Sequence, residues 1–71
     1  MIPDDYERFE AVLLRRAPGS WIVKITAGKK KGWSGPIGFG VACWEGGEPS
    51  PGKPRTIMVK KWWVSQKIRK P

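Results

Sequence analysis

Seven prolines and nine glycines punctuate this 71-residue chain. No stretch free of both reaches the roughly three to four heptads that a coiled coil requires. The chain must therefore fold from short elements joined by turns. At this length one small domain is expected, burying roughly 60% of the surface its unfolded chain exposes.

Periodicity within the segments predicts an α+β fold. Residues 4–16 read as a helix, because Tyr6, Phe9, Val12 and Leu13 fall on one apolar stripe. Asp4 and Glu7 have capping-box spacing, Arg15 and Arg16 suit a helix C-terminus, and Ala17-Pro18-Gly19 reads as the stop. Residues 20–26 read as a strand with Trp21, Val23 and Ile25 on one face. A second strand is expected over 37–45, with Ile37, Phe39, Val41 and Cys43 on its heavier face. A third is expected over 55–64, on the β-rich run Thr56-Ile57-Met58-Val59, although Val59, Trp62, Trp63 and Gln66 also fit helical spacing. The expectation is an N-terminal helix packed on a small three-stranded antiparallel sheet, as a single domain over 1–64, followed by a basic flexible tail over 65–71.

Several chemistries have no residues to carry them. The chain has no histidine and one cysteine, Cys43, so neither a Ser/His or Cys/His nucleophile system nor a Cys/His metal site is expected. Cys43 reads as a small apolar residue of the second strand. Glu45 and Glu48 border a Pro/Gly-rich segment and do not read as an acid–base pair. No enzyme activity, cofactor or metal is expected. No apolar run is long enough to span a bilayer and the start is acidic, so a cytoplasmic protein is expected, in the host cytoplasm if the source is viral. A monomer is the default.

Charge is concentrated by position. The net formal charge is +8, with Asp4, Asp5, Glu7 and Glu10 confined to the first ten residues and the basic excess beyond them. Those cations interleave with tryptophan: Lys29-Lys30-Lys31-Gly32-Trp33, then Lys53 and Arg55, then Lys60-Lys61-Trp62-Trp63, then Lys67-Ile68-Arg69-Lys70. Ammonium groups neutralise phosphates and indoles stack on unpaired bases, so this interleaving points to a polyanionic partner. Lys29, Lys30, Lys31, Trp33, Lys53, Arg55, Lys60, Lys61 and Trp62 are the candidate binding residues. The competing reading has the lysines solvating the surface and the tryptophans filling the core.

The octet Ile37-Gly38-Phe39-Gly40-Val41-Ala42-Cys43-Trp44 resembles the RNA-binding strand motif of RNA-recognition and cold-shock domains. The resemblance implies stacking by Phe39 and Trp44. Ile37 stands where that motif has a basic residue, and Val41 where it has a second aromatic. A core role for Phe39 and Val41, beside Ile37 and Cys43, is the simpler expectation. By size and composition the chain also resembles small phage proteins that seize a host machine. The expected function is a non-enzymatic regulator of gene expression acting on the transcription machinery, through nucleic acid or RNA polymerase. The alternative is an inhibitor or adaptor whose basic, Trp-bearing face docks on an acidic protein unrelated to transcription.

Overall fold

A computed structural model describes residues 5–71. The chain runs β1 (Tyr6–Ala17), β2 (Ser20–Ile25), β3 (Ser34–Gly38), a 3-10 turn (Phe39–Val41), β4 (Ala42–Trp44), β5 (Pro54–Lys60) and α1 (Lys61–Lys67). The strands form one five-stranded sheet of order β3-β2-β1-β5-β4, antiparallel at every pairing. This overturns the expected N-terminal helix on a three-stranded sheet: the helix lies at the other end of the chain. Asp4, the first residue of that expected helix, lies outside the described residues.

Why β1 is a strand is clear from its two partners. Tyr6–Val12 pair with β5, and Ala11–Ala17 pair with β2. Phe9, Ala11 and Leu13 face the core on alternate positions, while Arg8 and Glu10 are exposed. Between Leu13 and Arg15 the register shifts by a bulge. The extra residue, Leu14, has no partner on β2, and the alternation breaks there, with Leu14 and Arg15 both exposed. Pro18-Gly19 is then a hairpin turn rather than a helix stop. Ala17 and Ser20 pair across it, and Gly19 has φ +73°. Proline followed by a glycine at positive φ is the residue pairing of a type II turn.

The sheet has to curl. β3 and β4 lie at its opposite edges, yet only residues 39–41 separate them. Four peptide steps reach about 14 Å at most, so the two edges must come near each other. The principal extents of 28 × 26 × 22 Å match such a roll. Its interior holds Ala11, Leu13, Val23, Ile25, Ile37, Trp44, Ile57 and Val59, and α1 adds Val64 and the following Ile68.

Two further expectations are corrected. The strand expected over 37–45 is interrupted by the 3-10 turn, which shifts side-chain parity. Ile37 points inward before the turn; Trp44 points inward after it, and Cys43 is exposed opposite Met58. The strand expected over 55–64 stops at Lys60, and residues 61–67 turn helical. That helix places Val64 in the core, where a continuing strand could not have covered the roll. Beyond it, Arg69 exchanges two backbone hydrogen bonds with Ser34, at 3.0 and 2.9 Å. Of residues 65–71, expected as a basic flexible tail, 65–67 thus belong to α1 and Arg69 bridges to the start of β3.

Candidate nucleic-acid interface

The loop between β2 and β3 carries Lys29, Lys30, Lys31 and Trp33. It folds back on β2 and β1: Gly32 donates to the Ile25 carbonyl, and Thr26 to that of Glu10. Lys29 and Lys31 are exposed. Lys30 is held by Glu7 at 3.1 Å, and its ammonium lies 5.8 Å from the Phe9 ring and 5.5 Å from that of Trp33. Lys70 also reaches Trp33, at 5.8 Å. Trp33 packs against the core, so its indole is a half-buried cover with cations on its ring. Where the loop stands off β1, a groove of about 360 Å³ opens between residues 7–10 and 27–30.

At the start of β1, Lys60 and Lys30 approach from opposite faces of the sheet. Lys60 is paired with Tyr6 across the sheet, its ammonium 3.4 Å from Asp5 and 5.2 Å from the Tyr6 ring. Glu7, which holds Lys30, lies opposite buried Val59. The structure therefore joins Lys30 to Trp33 but divides the two lysine clusters between faces. Lys61 opens α1 and is exposed.

Trp62 and Trp63 follow Lys61 and have different roles. Trp63 packs on the core and donates its indole N–H to the Pro36 carbonyl at 2.8 Å. Its ring lies where a side chain on Gly38 would meet it, 3.4 Å from the place of a Cβ, and the Lys67 ammonium lies 5.8 Å from it. Trp62 is 51% exposed and meets Trp63 edge to face, with centroids 5.7 Å apart. This is the pattern of a fixed inner indole supporting an outer one.

A second aromatic group lies beyond Gly38. Phe39 is 41% exposed and tilts against Trp21 at 4.7 Å, with the Arg16 guanidinium 5.6 Å from its ring. Trp21 donates its indole N–H to Glu48 at 2.6 Å, and Glu48 also pairs with Arg16. Trp44 is buried against the far edge of Trp21. The RNA-binding motif that the octet resembles would need Trp44 to stack, and its burial removes it. Phe39, by contrast, does present its ring. Arg55 donates to the carbonyls of Gly46 and Gly47, bracing the loop after β4. Lys53 is exposed in the same loop.

The charge ledger is one-sided. Asp5, Glu7, Glu45 and Glu48 form salt bridges, and Glu10 accepts from the Thr26 hydroxyl. All five carboxylates among the described residues are thereby engaged within the fold. They meet only Lys60, Lys30, Arg8 and Arg16. The other ten of the 14 Lys/Arg make no salt bridge among the described residues. Sequence reasoning counted Lys67 and Lys70 in the basic–tryptophan series without naming them as binding residues, and it missed Arg16 as the partner of an aromatic ring. The signal for Arg16 was its placement directly across the hairpin from Trp21, visible only once that hairpin is recognised.

Among the described residues no group of three or more His, Cys, Asp or Glu side chains is placed to hold a metal ion. No helix among them is long and apolar enough to cross a membrane. No protein-family model, curated protein or solved structure matches the chain.

Proposed function

We propose that the chain is a non-enzymatic nucleic-acid-binding module that acts in the control of gene expression. The observation that carries this reading is the spent acidic complement: every Asp and Glu among the described residues is engaged within the fold, while ten cations make no salt bridge among those residues. A surface whose cations are mostly internally paired would be solubilising. This one keeps a net attraction for phosphate that its own carboxylates do not neutralise. Lys29, Lys31 and Lys61 are exposed contributors, and none of them takes part in a salt bridge among the described residues. Regulation of transcription is the proposed setting, because nucleic acid is the polyanion met there. The proposal gives the protein no catalytic step.

Titration of fluorescent oligonucleotides over a range of salt concentrations tests it. Affinity should fall linearly with salt on logarithmic axes, by a slope of about −0.7 for each phosphate neutralised in a single strand. Charge reversal of Lys29, Lys31 and Lys61 to Glu should weaken binding and flatten that slope while the thermal midpoint holds. Unchanged affinity in the reversed variant would refute the reading, as would binding that salt does not weaken. Tight binding to an acidic protein without any to polynucleotide would favour the adaptor alternative.

A further inference from the structure

Large apolar side chains left in water forgo the free energy of burial, and among the described residues there are three: Leu14, Phe39 and Trp62. The two aromatic ones are each held by another tryptophan, Phe39 by Trp21 and Trp62 by Trp63. Trp62 meets the Trp63 ring edge to face, and the far end of that ring lies 3.4 Å from where a Cβ on Gly38, the residue before Phe39, would stand. Trp63 itself is fixed through its hydrogen bond to Pro36. Trp62, Trp63, the backbone of Gly38 and Phe39 thus follow one another as a path with its two exposed rings at the ends.

We propose that this path is the base-binding site for single-stranded nucleic acid, with unpaired bases stacking on Phe39 and Trp62 and Trp63 holding the spacing between them. The inference rests on the nucleic-acid reading above and specifies its substrate. Three observations select this occupant. Both exposed rings are already held by aromatic neighbours, Phe39 by Trp21 and Trp62 by Trp63, so stacking need not immobilise them. Cations border the path: Arg16 at Phe39, Lys67 at Trp63 and exposed Lys61 beside Trp62. Phosphates following the bases would thus meet positive charge at each ring. Finally, a base face is available to an indole only when the base is unstacked, as in a single strand. Trp33 does not compete for this role, because it packs on the core and is not among the exposed large apolar side chains.

The experiment compares four ligands by anisotropy on the intact protein: a short oligothymidylate, the matching oligouridylate, an abasic strand of equal charge, and a duplex of equal length. The wild type should prefer at least one of the base-bearing single strands to both the abasic strand and the duplex. Trp62→Ala and Phe39→Ala should each weaken that single strand by about fivefold to a hundredfold, leave the abasic strand unchanged, and keep the wild-type melting midpoint. Trp62→Phe should restore most of the loss, which a purely structural defect would not allow. If the abasic strand binds as tightly as the base-bearing ones, or if the Ala variants lose affinity for all ligands equally, the stacking site is overturned while phosphate binding stands. If none of the four ligands binds the wild type, the nucleic-acid reading falls and takes this inference with it.

Discussion

The indole N–H of Trp21 and the carboxylate of Glu48 meet at 2.6 Å, tying β2 to the loop that follows β4. The same carboxylate holds Arg16 at 3.3 Å, so one side chain serves two neighbours on the first hairpin. Glu48→Ala should lower stability by about 1 kcal/mol, since the bond is charge-assisted but lies at the surface. In a domain this small that corresponds to a fall of roughly 4–8 °C in thermal midpoint. A thermal melt with no shift would show that Glu48 does not hold the loop. Loss of the Trp21 anchor should also alter Trp fluorescence.

Gly35 lies directly under α1. A Cβ at this position would collide with the Lys67 carbonyl and crowd Ile68. The obstacle is backbone, so no rotamer change relieves it. Gly35→Ala should cost about 1–3 kcal/mol, the usual range for overpacking. Denaturant unfolding measures it. Wild-type stability in this variant would mean that the helix sits farther from β3.

Adjacent leucines provide a sharp test of the first strand. Leu13 is 1% exposed and Leu14 is 47% exposed. Leu13→Ala should cost about 2–5 kcal/mol and Leu14→Ala no more than about 0.5 kcal/mol. On the amphipathic helix that the sequence suggests, Leu13 lies on the stripe too, but bulge and sheet pairing would be missing. Far-UV circular dichroism of the wild type separates the two, because a helix over residues 4–16 would give a clear helical signal.

How much of this was legible in the sequence depends on how local the deciding contact is. The strand expected over 20–26 was found almost to the residue, since Trp21, Val23 and Ile25 alternate without interruption. Residues 6–17 were misread because Tyr6, Phe9, Val12 and Leu13 satisfy a helical period, while the pairing that decides their state comes from β5, at the other end of the chain. The change from β5 to α1 carried no start signal: Lys60 occupies the N-cap position and makes no side-chain capping bond. The site fared similarly. The clustering of lysine with tryptophan was plain, but which indole reaches solvent depends on how α1 covers the roll. Trp33, one of the sequence candidates, packs on the core, and the exposed aromatic side chains are Trp62 and Phe39.

The division of β1 between two partners has a consequence for how the protein is made. Its second half can zip onto β2 as soon as the Pro18-Gly19 turn has formed, a local event on a microsecond scale. Its first half must wait for β5: Tyr6 pairs with Lys60, so nearly the whole chain has to be synthesised before that register can be tried. A nascent chain therefore carries an unmatched stretch of strand, and closing it is a non-local step of the kind that slows folding. Arg8, Glu7 and Glu10 lie on that waiting stretch. Their charges would keep it solvated and discourage neighbouring nascent chains from pairing with it in place of β5.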